Sequence, residues 1–499
     1  MKIITMHHIL GNKVLEYDVD DRGVIVDERE IDRTVNHKPN IADWVKEHMV
    51  FWYDMSKPVD TYSQNFNDWM SHPSVNADII ITSTSFVITR FATLNDTVKR
   101  YIPDQTKNFP GMKVEVKGIV DGQELYWGYS ANVKLVNITQ DGTYDIPPLG
   151  TVNGNLSFRN GNIVGACNIT ITQLPSGQSV PTNEILKANP YLQDHSGNNR
   201  PLKLNNFLFA GMSGVGGYDI ASTNILPDRA NVTVTDNRII HITKKLSTTD
   251  NMVNIVPANS NPTHKFKITG LSDGRQVSLV NRNGGFYTFD NGEHEVTLTY
   301  PEGTTSLYNA IGVTGSTGDM DVTIEFIPRY PNALVTDRVD DYGVVENFKS
   351  LQNYMMFFQC AIIRPATSEG MFSTTPIEGN IKGWMLLQGN SANEVRFGNN
   401  VYKNFNVTSS IGDKISYVLS ANNELMTCYV GEEKATVAGT YKQTGANMSL
   451  FLSDNNNKTR FGSMAFYKSI LFDSVPTKEN DGFTEQDLID YVLENLITK

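Results

Sequence analysis

Cysteine is scarce in this chain, with three residues, Cys167, Cys360 and Cys428, among 499. They are too few and too widely spaced for a disulfide framework, and none sits in the Cys-x-x-Cys pair that zinc binding or thiol exchange uses. All three read as small core hydrophobes. Cys360 and Cys428 lie in strand-like runs of one region and are the pair placed to face one another. Long apolar runs are also missing: none reaches the about 18 residues that a membrane-spanning helix needs. The opening Met1-Lys-Ile-Ile-Thr-Met-His-His8 breaks its short apolar run with paired histidines, so neither a cleaved signal peptide nor a membrane partner is expected. Basic clusters are absent as well. Lys and Arg number 42 against 54 Asp and Glu, a formal charge of −12 and a pI near 5.3, so the electrostatic footprint of nucleic-acid binding is missing.

Catalytic and cofactor motifs are equally thin. No His-Glu-x-x-His, Gly-x-Ser-x-Gly or metal-spaced Cys/His cluster occurs, so no catalytic residue and no cofactor is expected. Gly211-Met-Ser-Gly-Val-Gly-Gly-Tyr218 lacks the Gly-Lys-Ser/Thr ending and the following helix of a phosphate-binding loop, and reads as a hinge. Asp18, Asp20 and Asp21 have no distal Glu to complete a calcium loop, and Asp27 to Glu30 read as a solvated acidic face. His7 and His8 would point to opposite faces of a strand, which disfavours shared ligation.

What the chain does contain is Asn, Thr, Ser and Gly throughout, 10% aromatic and only 19% charged residues, a composition typical of β-rich extracellular or virion proteins. It also contains an internal repeat. Lys113-Val-Glu-Val-Lys-Gly-Ile-Val-Asp-Gly122 aligns with Lys265-Phe-Lys-Ile-Thr-Gly-Leu-Ser-Asp-Gly274: the first Lys, both Gly and the Asp are identical, and the apolar positions alternate as in a strand running into an Asp-Gly turn. The match extends upstream, where Ile79 to Thr82 face Val232 to Thr235. Downstream, Asn168 to Pro175 face Asp321 to Pro328. Two β-sandwich copies are expected, at 79–175 and 232–328. Tyr126, Trp127 and Tyr129 occur only in copy one, where copy two has Ser278-Leu-Val-Asn281, so the shared core cannot require them. They are the candidate ligand-binding residues, a platform for stacking against sugar rings, unless they pack against a neighbouring domain or subunit.

Flanking the repeats are segments with a specific resemblance. Asp337 to Tyr342 resemble the opening motif of LamG-type, concanavalin-like jelly rolls, with Arg338 where that family usually has Gly. Lys414 to Val430 resemble its central hairpin, Gly462 to Ile470 its closing strand, and Thr484 to Leu496 its short acidic C-terminal helix. Thr484 with Asp487 also makes a capping-box pattern, and Leu488, Ile489, Val492, Leu493 and Leu496 share a helix face. The family's first strand is resembled far upstream by Met49 to Ser56, and its next motif by Tyr191 to Phe207. The resemblance therefore implies an all-β concanavalin/LamG-like jelly roll made of 49–57, 186–218 and 330–499, interrupted by both sandwiches and closed by a short C-terminal helix. Residues 1–48 have no counterpart and are the expected anchor.

In this order the motifs resemble virion structural proteins of crAss-like phages of gut Bacteroidales. The resemblance implies a homo-oligomeric head fibre or capsid decoration protein, made in the bacterial cytoplasm and displayed on the virion surface. It would dock on capsid or other virion proteins through its N-terminal region and contact host-cell or mucin glycans. A tail or baseplate receptor-binding fibre is the alternative. A glycan depolymerase is disfavoured, because no Glu-x-Asp-x-Glu strand supplies the paired carboxylates of a retaining glucanase. Asp337, Asp340 and Asp341 form the one carboxylate set that could hold calcium at a jelly-roll rim; capping a turn is their expected role, and no metal is expected.

Overall fold

The computed structural model describes residues 4–10, 13–19, 25–32, 40–63, 66, 77–82, 84–92, 97–101, 109, 111–129, 133–149, 156–218, 220–235, 238–257, 263–281, 285–298, 309–348, 351–364, 369–374, 385–389, 394–399, 401–422, 425–438, 447–454 and 459–498. Asp20 and Asp21 lie outside them, as do the side chains of His7, His8, Asp18 and Asp27 to Glu30.

Two antiparallel sheets face each other in the central domain. One runs, in spatial order, Tyr191–Leu192, Leu202–Asn205, Tyr342–Val345, Met448–Leu450, Gly370–Ser373, Met385–Gln388, Glu394–Asn399 and Val401–Asn406. The other runs Gly214–Val215, Leu334–Val335, Met464–Phe472, Tyr354–Ile362, Lys414–Ala421, Leu425–Val430 and Glu433–Ala438, with Met49–Asp54 also paired to Met464–Phe472. The fold is all-β, a two-sheet jelly roll interrupted by two β-sandwiches and closed by a short C-terminal helix. Its strands come from three separated stretches of chain because they share one core, which joins Phe51 and Tyr53 to Leu202 and to Phe358, Phe466 and Leu471.

Tyr354–Ile362 and Met464–Phe472 are buried at every position. Their near-continuous apolar sequence follows from having both faces covered. Met356, Phe358 and Cys360 point between the sheets, whereas Met355, Phe357, Ile470 and Phe472 point outward against two helices. Those helices, Ile41–His48 and Glu485–Val492, bring Trp44, Leu488 and Val492 onto the outer face. The second begins with a full capping box between Thr484 and Asp487. It continues into a π turn, Leu493–Ile497, whose Leu496 carbonyl accepts from Lys468 Nζ at 3.3 Å. Lys468 thereby places a cation at a helix C-terminus that has no basic residue of its own. Cys360 and Cys428 are buried and free, separated by the strand Lys414–Ala421, and burial raises both thiol pKa values.

Each repeat copy folds as its own sandwich around its own core. Copy one has sheets in the order Val133–Ile138, Leu125–Tyr129, Leu156–Asn160, Thr97–Tyr101 and Gly142–Ile146, Met112–Lys117, Gly165–Leu174, Ser85–Phe91, Ala77–Ile81. Copy two repeats both orders strand for strand: Phe286–Phe289, Val277–Asn281, Asn309–Val313, Val253–Pro257 and Gly292–Thr297, Thr263–Thr269, Gly318–Phe326, Ile239–Lys245, Ala230–Thr235. Among the described residues copy two alone adds an edge strand, Ile220–Ile225. The residues identical in sequence sit at matching constraints. Gly118 and Gly270 have φ of +92° and +88°, and a Cβ there would lie 2.0 Å from the Asn168 carbonyl oxygen or 1.8 Å from that of Asp321. Only glycine admits so close an approach.

Both copies leave the jelly roll on two-stranded necks. Val59–Thr61 pairs antiparallel with Gly177–Ser179 at the first. At the second, Gly214–Val215 pairs with Leu334–Val335, and Gly216 and Gly217 exchange further backbone hydrogen bonds with Arg329, Tyr330 and Ala333. The glycine-rich segment is therefore not the expected hinge. Its glycines serve close packing: a Cβ on Gly214 would lie 2.4 Å from Asn183 Oδ1 and 2.8 Å from Phe209 Cα.

At the N-terminal end, Ile4–Leu10, Lys13–Val19 and Ile25–Asp32 form a three-stranded antiparallel meander. No helix among the described residues is long and apolar enough to cross a membrane.

Candidate functional site

The aromatic platform expected in copy one is closed. Tyr126 and Trp127 are both fully buried, and the side chain of Tyr129 lies outside the described residues. Successive strand residues point to opposite faces, so Tyr126 and Trp127 could not share one stacking surface. Trp127 fills the copy-one core, its ring 5.4 Å from Phe109 and 4.9 Å from Phe158. Tyr126 lies under the Lys134 ammonium, 4.9 Å from the ring centroid.

The carboxylates of Asp337, Asp340 and Asp341 do converge, with one ligand atom of each within 4.8 Å of the others. Three of their six oxygens already serve the turn. Asp341 accepts from Ser213 Oγ and from the Asp337 backbone N–H, both at 2.9 Å, and Asp337 Oδ1 accepts from the Val339 N–H at 2.8 Å. Asp341 is buried; burial and then the Asp337 charge push its carboxyl up to about 8. Arg338 adopts φ of +72°, a left-handed conformation that glycine takes more readily than a residue with a Cβ. Its Nε pairs with the buried Glu369.

An opening lies beside the first neck. It is a cleft of about 450 Å³ walled by three parts of the chain: Asp60 and Tyr62 from the neck, Thr82 and Thr84 from copy one, and Tyr191, Gln193 and Asn199 from the jelly roll. Asp194 builds its floor. One carboxylate oxygen accepts from the N–H groups of Trp52 and Ser196, both at 2.9 Å, and the other accepts from the Arg200 N–H at 3.0 Å. Asn198 Nδ2 donates to the Met49 carbonyl at 2.6 Å, and Tyr53 OH donates to the Arg200 carbonyl at 2.6 Å. The loop from Asp194 to Arg200 is thus stitched to the first strand of the jelly roll. His195 behind it is held below its ordinary pKa by burial and then by Lys57, whose ammonium sits 4.3 Å over the Trp52 ring.

On the neck side, Gln193 Oε1 accepts from the Asp60 N–H and Gln178 Nε2 donates to Asp60 Oδ1, each at 3.0 Å. Copy one is tied in by Gln173 Nε2, which donates to Ser63 Oγ beyond the neck strand at 3.1 Å. Burial and then Asp60 raise the Tyr62 phenol, which keeps it a hydrogen-bond donor. The described lining holds no Lys, Arg or His. A second cleft, of about 460 Å³ beside the second neck, differs in carrying Lys265 and Arg329 alongside Glu295.

No protein-family model matches the chain, and no curated protein does. Solved structures resemble it distantly. Domain 4 of AbnA, a GH43 extracellular arabinanase from Geobacillus stearothermophilus in complex with arabinotriose, is 15% identical at a TM-score of 0.24, over 31% of this chain and 75% of that one. Mouse laminin alpha1 domains LG4-5 are 10% identical at 0.22, over 52% and 90%. Trypanosoma rangeli sialidase in complex with sialic acid is 10% identical at 0.27, over 98% and 90%. Scores this low transfer no activity to this chain.

Sequence reasoning passed over that cleft because Tyr62 and Tyr191 carry no local signal. The usable clue was the Asp194 loop motif, read as a fold marker when it also forms a cleft floor.

Proposed function

We propose that this chain is a non-enzymatic binding and display protein of a virion surface, most simply a head fibre or capsid decoration protein that presents β domains to host or mucus glycans. The observation that carries the binding half is the cleft beside the first neck, an aromatic and amide-lined opening set between the jelly roll and copy one. The virion half rests on the order of the sequence motifs. The N-terminal meander would dock on other virion proteins, and a homo-oligomer would turn weak glycan contacts into avidity.

Binding without turnover suits the cleft's carboxylates. Most retaining and inverting glycosidases use two carboxyl groups to divide acid, base and nucleophile roles. Asp194 spends both oxygens on backbone N–H groups, which leaves Asp60 as the other carboxylate among the described lining residues.

Mass spectrometry of purified virions, with immunogold labelling, tests the proposal. The chain is expected in intact particles with label on the head. Its absence from particles overturns the proposal, and label confined to the tail replaces the head fibre with a receptor-binding tail fibre.

A further inference from the structure

We infer that the cleft beside the first neck is a saccharide site that selects neutral over anionic glycans and is assembled jointly by the jelly roll and copy one. This rests on the reading of the chain as a glycan-binding display protein and assigns the ligand class to one place in it.

The lining is suited to that class. Tyr62 and Tyr191 are half-buried, each offering part of a ring to the apolar C–H face of a sugar while its phenol remains polar. Thr82, Gln193 and Asn199 add hydroxyl and amide groups, which can donate and accept, as a ring of sugar hydroxyls requires. The volume, about 450 Å³, is within the range of small-molecule sites. The walls are also largely pre-formed, because the Asp194 loop is bonded to strand Met49–Asp54 and Gln193 is held by the Asp60 N–H. Less ordering on binding leaves more of each contact as affinity.

Selectivity follows from charge. The described lining contains two carboxylates, Asp60 and Asp194, and no cation. A sialylated, uronic or sulfated glycan would bring negative charge next to Asp60, and the described lining offers no cation to compensate it. The cleft at the second neck, with Lys265 and Arg329, lacks this bias. Joint assembly follows from position: Tyr62 stands on the neck, Thr82 on copy one and Tyr191 on the jelly roll.

The test is a printed array carrying neutral oligosaccharides beside sialylated, sulfated and uronate-containing ones at matched density, probed with the full-length chain. Neutral glycans should bind, and Tyr62→Ala and Tyr191→Ala should each weaken binding about fivefold or more at unchanged melting temperature. Tyr191→Phe, which keeps the ring, should retain most of it, and serves as the check if an alanine variant fails to fold. Preference for anionic glycans, or neutral binding indifferent to both alanine substitutions, overturns the inference. A wild-type chain that binds no glycan on the array, yet is found in virions, overturns the site while leaving the display role standing.

Discussion

Asp341 should give the jelly roll a pH dependence opposite to that of an ordinary salt-bridged carboxylate. In the folded protein its carboxyl titrates at about 8, raised first by burial and then by Asp337. In the unfolded chain it returns to about 3.9. Between those values the folded state holds a proton that the unfolded state has released, so the stabilisation is complete below about pH 4 and is lost as the pH rises toward 8. One proton can change stability by no more than about 1.4 kcal/mol per pH unit. From about pH 5 to about pH 7 the ceiling is therefore about 2.7 kcal/mol, or about 5 to 10 °C in the melting temperature of a domain this size. Calorimetry of the full-length chain across that range should show the jelly-roll transition falling with pH. Asp341→Asn, which cannot titrate but keeps an acceptor for Ser213 Oγ, should flatten the slope while costing about 1 kcal/mol through the weakened Asp337 contact. Wild type and variant sharing one slope would refute the reasoning.

Calcium should leave the same transition unmoved, because Asp341 and Asp337 already spend oxygens on the turn; a rise with millimolar calcium that Asp341→Asn abolishes would show a metal site instead. Asp54 and Lys468 form a nearly fully buried ion pair at 3.2 Å. Asp54→Ala should cost about 3 to 5 kcal/mol in urea denaturation by stranding the lysine charge, and adding Lys468→Met should recover much of that loss. Gly214→Ala should destabilise the second neck by about 2 to 4 kcal/mol, since its Cβ meets Asn183 and the Phe209 backbone; limited proteolysis there should quicken, and an unchanged digestion rate would count against the packing account.

Much of the architecture was legible because it is written in local patterns. The duplicated copies were visible through Gly118 and Gly270, which share a backbone approach that tolerates no side chain. The final helix was visible in Thr484 and Asp487, whose capping contacts are local. Two expectations failed for want of orientation and partners. Tyr126 and Trp127 looked like a cluster because they are adjacent, yet adjacency in a strand sends side chains to opposite faces, and both are enclosed. The glycines from 211 to 217 looked flexible, yet their returning partners, Arg329 to Val335, turn them into a bonded neck.

Sequence alone determined the β-rich class, the repeat, the three stretches that resemble one jelly roll and the convergence of Asp337, Asp340 and Asp341, because each depends on near-neighbour periodicity or a compact motif. Tertiary structure decided which aromatics are open and where a ligand can sit. Tyr62 and Tyr191 meet at one cleft only because the first neck pairs with its returning strand and the Asp194 loop is bonded to the strand beginning at Met49. Those contacts join residues far apart in the chain, and such long-range pairing leaves no periodic trace in the sequence.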